Sequence, residues 1–307
     1  MADFSFTCGI PASGKSTFAN SLKEAGMRVY SSDEIRKNHP DWDNNTVFAH
    51  ITQNIISDLK AGHDCLMDST CVSRKDRMRT INNVRRFADR IICHLFITPI
   101  DICIQRNNKR EDNHGVDDAV IWKMVKRFQP PWYGEYIHKI EVHPYMCEFD
   151  QGYTREQLMD MEQDNPHHTL TVGEHEKKAE EYIDEHCVLT EMYPFLKYAA
   201  RFHDDGKFFT KGFTNTKGEP TDIAHFYNHE NVGAYLFLTK AFCTDELDSE
   251  YKFTEWGKLY IANLIVAHMR PNVWKESEKA RNKDTDILGE LMTGDLQILN
   301  AADLQAK

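Results

Sequence analysis

The chain has 307 residues, 41% of them apolar and 28% charged, which suits two globular domains and excludes a disordered or collagen-like protein. Its eight cysteines form no Cys-x-x-Cys pair, so neither a disulfide framework nor a thiolate zinc site is expected, and a reducing cytoplasm is. The net charge of −11 argues at first against nucleic acid, but residues 1–150 hold 20 basic and 20 acidic side chains, against 17 and 28 in residues 151–307. The whole excess sits in the second half. The longest apolar run, 91–97, is too short to span a bilayer, and no signal peptide or membrane partner is expected.

In chain order, short apolar runs at Phe4–Cys8, Met27–Tyr30, Cys65–Met67 and Ile91–Ile97 alternate with helical periodicity, as in Val47, Ile51, Ile55 and Leu59. This pattern predicts a parallel sheet flanked by helices, an α/β fold. Pro130, Pro131, Pro144 and Gly152 break the segment 129–164, which reads as a joint or an irregular extension of the first domain, with the boundary near Asp150. Beyond it, helical patterns at Gly173–His186, Met192–His203, Glu230–Phe242, Phe253–His268 and Asp286–Ala302 predict an all-α second domain.

The first strand runs into Gly9-Ile-Pro-Ala-Ser13-Gly14-Lys15-Ser16-Thr17, which fits G-x-x-x-x-G-K-[ST] between a strand and a helix. Its glycines turn N–H groups toward a phosphate, Lys15 reaches the β- and γ-phosphates and Ser16 can ligate Mg²⁺, so ATP or another NTP is the expected cofactor. Asp33, after the second strand, is placed to accept the proton of an attacking hydroxyl or to cap a helix. Asp68 closes the third strand as a candidate Mg²⁺ partner, and Arg106 and Arg110 follow the fourth as candidate lid arginines. Arg74, Lys75, Arg77, Arg79, Arg85, Arg86 and Arg90 outnumber Asp76 and Asp89 by seven to two, a candidate track for a polyanion.

The order of the P-loop, Asp33-x-x-Arg36, Asp68-Ser69-Thr70, Arg106-Asn-x-x-Arg110 and Val116-Asp117-Asp118-Ala119-Val120-Ile121 resembles the kinase domain of phage-type polynucleotide 5′-kinases over roughly 125 residues. The resemblance implies that Asp33 is the general base, Arg36 contacts the acceptor's 3′-phosphate, and Arg106 and Arg110 belong to a lid.

In the second half, His168, His203-Asp204, His229, His268 and Asp303 can supply a mixed nitrogen and oxygen shell for divalent metals. His168-Thr-Leu-x-Val, His203-Asp204 with Gly206-Lys207, His229-Glu-x-Val-Gly, His268 and Ala302-Asp303 look like an HD-family phosphohydrolase. That resemblance implies a first metal at His168, His203, Asp204 and Asp303, and a second at His229 and His268 bridged by Asp204. One or two of Mn²⁺, Ni²⁺, Co²⁺, Fe²⁺ or Zn²⁺ would serve. Lys207, one turn after His203, is expected to meet a substrate phosphate. His167, His175, His186 and His225 are read as solvated or supporting residues. Because the chain ends four residues after Asp303, only Lys307 is available for any group that relatives supply beyond that point.

Together the halves resemble bifunctional RNA end-healing enzymes. The resemblance implies RNA or DNA ends as substrate and a separately encoded ligase for sealing. Two rival readings remain open: a small-molecule or nucleoside kinase fused to an HD nucleotide phosphohydrolase, and an ATP-binding regulatory module without turnover.

Overall fold

The computed structural model describes residues 2–110, 115–149, 153–166, 169–244, 247 and 251–306. The chain divides into two compact units, one made of residues 1–124 with 131–145 and the other of 125–130 with 146–307.

The first unit runs β1 Phe4–Cys8, α1 Lys15–Glu24, β2 Arg28–Ser31, α2 Ser32–Asn38, α3 Asn44–Lys60, β3 Cys65–Asp68, α4 Arg74–Val84, β4 Ile91–Ile97, α5 Ile100–Asn108, α6 Asp118–Val125 and β5 Lys139–Pro144. Its five strands form an all-parallel sheet in the order β2-β3-β1-β4-β5, flanked by helices. β1 is buried along its whole length, as a central parallel strand covered on both faces must be, and its Phe4-Ser-Phe-Thr-Cys sequence supplies that packing. The α3 residues Val47, Ile51, Ile55 and Leu59 and the α4 residues Ile81 and Val84 are buried beside it.

Of the two readings of segment 129–164, the structure makes residues 131–145 an extension of the first unit, where Lys139–Pro144 adds β5 to the sheet, pairing Cys93 with Ile140 and Leu95 with Val142. One sequence expectation needs correction, because the basic stretch is not a uniform surface track. Arg77 is buried, and its guanidinium makes two 2.7 Å bonds to the buried carboxylate of Glu135, while Arg74 approaches the same carboxylate at 3.5 Å.

The second unit contains α7 Arg155–Met159, α8 Val172–His186, α9 Tyr193–Phe202, α10 Lys207–Thr210, β6 Lys211–Thr214, β7 Pro220–Phe226, α11 His229–Cys243, α12 Glu255–Ala267, α13 Arg270–Trp274, α14 Glu278–Leu288 and α15 Glu290–Gln305. It is largely helical. The exception to the all-α expectation is the β6–β7 antiparallel hairpin, with Lys211 opposite Phe226. Helices α11 and α12 are buried nearly all round, through Tyr235, Phe237 and Leu238 on one and Ile261, Leu264 and Ile265 on the other. The helix expected over 286–302 is divided by Gly289 at φ +86°, so α14 ends and α15 begins there. Among the described residues, no helix is long and apolar enough to cross a membrane.

Candidate phosphate and metal sites

Gly14 caps α1 at φ +104°, a left-handed conformation that glycine adopts without cost, and so turns the loop into the helix. Gly9 N–H donates to Thr70 O at 2.9 Å, and Thr98 Oγ1 donates to Ser13 O at 3.1 Å, which tie the loop to the ends of β3 and β4. Lys15 is buried, its Nζ donating to Ile10 O at 2.6 Å and lying 3.3 Å from Ser13 Oγ. Burial lowers its pKa, so the ammonium gains by meeting an anion. Ser16 and Thr17 are exposed at the start of α1.

Asp68 is buried at the end of β3, with Thr7 Oγ1 3.2 Å from its Oδ1. Asp33 lies in the first turn of α2, where Ser31 is the N-cap, so capping does not occupy it. Its side chain is 87% exposed and takes a 2.8 Å bond from Arg36, whose other nitrogens hold Asn44 Oδ1 at 3.1 and 3.2 Å. Arg106 lies over the Tyr145 ring at 5.1 Å. Arg110 is exposed just before residues 111–114, which lie outside the described ones. Buried Asn107, part of the Arg106-Asn-x-x-Arg110 motif but given no role by the sequence reading, grips Val116 through both its N–H and its carbonyl, at 2.9 and 2.6 Å.

In the helical unit, His175, His203 and Asp303 form one group of ligand atoms, and Asp204, His229 and His268 form another. His203 and Asp204 follow α9, His229 opens α11, His268 ends α12, and Asp303 lies on α15. Gly206 is what lets the His203-Asp204 turn reach α11, since a Cβ there would stand 2.0 Å from His229 O and 2.6 Å from Gly233 N.

Each of the four rings turns Nδ1 to a main-chain carbonyl: His175 to Ala306 at 3.1 Å, His203 to Ala200 at 2.8 Å, His229 to Phe226 at 2.9 Å and His268 to Ile265 at 2.7 Å. A carbonyl only accepts, so Nδ1 carries the hydrogen and Nε2 of the neutral ring presents a lone pair. The Nε2 atoms meet in pairs, His175 with His203 at 3.2 Å and His229 with His268 at 3.3 Å. Lone pairs facing at that distance repel unless a cation joins them. Burial pushes His268 down to about 3, so that ring stays neutral. Burial also opposes charge on His203, but the adjacent Asp204 carboxylate overrides it and lifts the group to about 10.

Asp204 lies between the pairs, with Oδ2 3.4 Å from His175 and 3.5 Å from His203, and Oδ1 3.3 Å from His229 and 3.9 Å from His268. Burial would neutralise it, but Lys207 and His203 hold it well below the usual carboxylate range. Asp303 Oδ1 lies 3.0 Å from His175 and 3.7 Å from His203. Four imidazoles that turn Nδ1 to a carbonyl and Nε2 inward, with two ionised carboxylates, are a donor set suited to one or two divalent transition metals, which would take the place of the proton that Asp204 favours on His203.

His175 therefore corrects the reading that made it a solvated or supporting residue: it is buried among the ligand atoms. Its signal was helix phase, because it shares the buried face of α8 with Val172, Ala179 and Ile183. His167 and His168 lie outside the described residues. His186 is exposed and stacks on Tyr182, and His225 stacks on Tyr227. Lys207, aimed by the sequence reading at a substrate phosphate, is buried with Nζ 2.6 Å from Asp204 Oδ2 and 2.8 Å from Gln163 Oε1.

Behind the ligands, buried Glu176 accepts Asp204 N–H at 3.1 Å through one oxygen and meets Arg155 at 3.0 Å through the other. Arg155 also forks onto Asp205 at 2.8 and 2.9 Å. The spacing of motifs carried no sign of this support. A third cluster, His94, Glu141 and His143 on β4 and β5, satisfies itself, with His94 Nδ1 3.1 Å from Glu141 and 3.2 Å from His143.

Residues 5–131 match the family model described as AAA domain. The P-loop half thus has a kinase-like fold that implies a bound nucleotide and Mg²⁺. No curated protein matches the sequence. Among solved structures, the chain is similar to a gluconokinase from Sinorhizobium meliloti, at 15% identity over 46% of this chain and 81% of that one, with a TM-score of 0.34. It is similar to a sugar kinase from Janibacter at 15% identity, over 51% and 90%, with a TM-score of 0.37. A fungal RNA kinase is similar at 15% identity, over 52% and 41%, with a TM-score of 0.38.

Proposed function

We propose that the protein heals RNA or DNA ends through two phosphate chemistries. The P-loop half phosphorylates a 5′-hydroxyl with ATP. The helical half removes a 3′- or 2′-phosphate and opens a 2′,3′-cyclic phosphate. The observation that carries this reading is the pairing of Nδ1-locked histidines around Asp204 in a chain that also holds an intact P-loop and an exposed carboxylate at Asp33.

In the first half, Lys15 and the N–H groups at the start of α1 receive the β- and γ-phosphates, with Ser16 and Asp68 on the Mg²⁺ side. Asp33 takes the proton of the acceptor hydroxyl as its oxygen bonds to the γ-phosphorus, the bond to the β-phosphate oxygen breaks, and ADP leaves with that electron pair. Arg36 orients the acceptor through its phosphate, while Arg106 and Arg110 face the charge on the transferred group. In the second half, His175, His203, Asp204 and Asp303 would hold one divalent ion and Asp204, His229 and His268 another. Such ions polarise a phosphoryl oxygen and acidify bound water. Lys207 holds Asp204 ionised, and Glu176 and Arg155 hold its backbone in place.

The test is an oligoribonucleotide with a 5′-hydroxyl and a 2′,3′-cyclic phosphate, incubated with ATP, Mg²⁺ and Mn²⁺ or Ni²⁺, with both ends followed. The reading expects a new 5′-phosphate and a free 3′ end. Labelling of only a nucleoside or a sugar, with both oligonucleotide ends intact, would overturn it.

A further inference from the structure

Seven basic side chains cluster between residues 74 and 90, and the fold assigns them different tasks. Arg77 is consumed by Glu135, and Arg74 turns to the same carboxylate. Arg90 pairs with Asp3, and Arg85 lies over the Tyr136 ring at 4.1 Å. Lys75, Arg79 and Arg86 remain, all exposed, and none has an ion-pair partner among the described residues.

Their spacing of four and seven residues, with exposed Asn82 between, places Lys75, Arg79 and Asn82 on one face of α4, which Arg86 continues just past the helix end. At 1.5 Å per residue the row spans about 16 Å. No acid interrupts it, because Asp76 is turned back to its cap partner Ser73 at 2.6 Å. The row also connects to the acceptor groups. Arg79 and Arg36 both lie over the Phe48 ring, at 5.6 and 5.8 Å, and Arg36 is the residue bonded to Asp33.

We propose that Lys75, Arg79 and Arg86 form a phosphate track for the single strand that follows the acceptor nucleotide, so that this half selects a polynucleotide end over a mononucleotide. The inference rests on the reading of Asp33 and Arg36 as acceptor groups. Three exposed cations in a row without an acid suit a chain of phosphates, whereas a sugar or a free nucleoside would use none of them. The track also resolves the tension with the net charge of −11, since binding requires only a local row of cations.

The experiment measures anisotropy of a labelled decanucleotide with a free 5′-hydroxyl, as RNA and as DNA, across 50–200 mM salt. Kinase kcat/KM is measured in parallel for the decamer and for a nucleoside 3′-phosphate. For single strands the salt slope is about −0.7 per phosphate contact, so Lys75→Ala/Arg79→Ala/Arg86→Ala should flatten it by about 2. The variant's affinity at 50 mM salt should fall by at least about tenfold, and the kinase preference for the decamer should collapse. Arg79→Gln alone should flatten the slope by about 0.7, which gives a readout should the triple variant fold poorly. Arg90→Ala, whose cation belongs to Asp3, should match the unmodified protein. Unchanged affinity and slope in both track variants would overturn the proposal, as would failure of the unmodified protein to bind the decamer. Track-dependent binding of a decamer that is never phosphorylated would leave the track standing and overturn the kinase reading instead.

Discussion

In the P-loop half the candidate groups divide: Lys15 and Asp68 are buried, whereas the Asp33 carboxylate is 87% exposed and Ser16 and Thr17 are exposed at the start of α1. In the helical half, His175, His203, Asp204, His229 and His268 are buried, and only Asp303 keeps partial exposure. On the proposed function, the difference follows from the work each set would do. A kinase must admit two substrates and let its arginines travel with them, so it presents short motifs on loops. A metal cage must hold repelling donors together, which needs rigid helices and an anchored Nδ1 on every ring.

The comparison can be broken from either side. The largest effect is expected from Arg77→Ala, which strands the Glu135 carboxylate in the core of the P-loop half. Breaking such a buried pair costs about 3–5 kcal/mol, and calorimetry should show the sheet unit melting early. A shift confined to the helical unit would contradict the assignment of this pair. Loading with Mn²⁺ or Ni²⁺ should act on the other unit alone. At a hundred times the dissociation constant, an ion contributes about 2.7 kcal/mol, or several degrees of melting temperature, which a chelator should reverse. If the P-loop unit rises instead, the cage has been placed wrongly.

His175 sharpens the contrast between ligand and bystander. His175→Ala should remove one bound ion as counted by titration calorimetry, whereas His186→Ala should leave the count unchanged. Glu176→Gln, one step behind the ligands, should weaken the ion by about 10–100-fold without changing that count. Gly206→Ala is the mildest change in chemistry but forces a methyl against His229 O. A stability loss of about 1–3 kcal/mol, measured by denaturant midpoint, is expected together with weaker binding of the second ion. Full stability and full ion binding in that variant would mean that the close approach of Gly206 to α11 is not needed.

The halves also differ in what their sequences reveal. The P-loop is contiguous, and its strand–loop–helix setting follows from local pattern alone. Strands β1, β3 and β4 were legible as apolar runs, whereas β5, with Glu141 and His143 inside a proline-bounded segment, lacks the apolar signature of its neighbours. The β6–β7 hairpin is hidden for a similar reason, since only Ala224 of Pro220–Phe226 is buried. In the helical half, His203-Asp204 was visible as a dipeptide, but the ring that completes the first group depends on the phase of α8. His168 lies outside the described residues, and motif spacing alone could not choose between it and His175. Arg77 misled for the opposite reason, because its partner Glu135 lies 58 residues away and composition cannot pair the two.

The most direct test of two separate phosphate chemistries is the oligoribonucleotide with a 5′-hydroxyl and a 2′,3′-cyclic phosphate, given to Lys15→Ala and to Asp204→Ala. Lys15→Ala should lose 5′ phosphorylation by about 10³-fold while keeping the 3′-end chemistry, and Asp204→Ala should do the reverse. Loss of both activities in either folded variant, or of neither, would contradict the account.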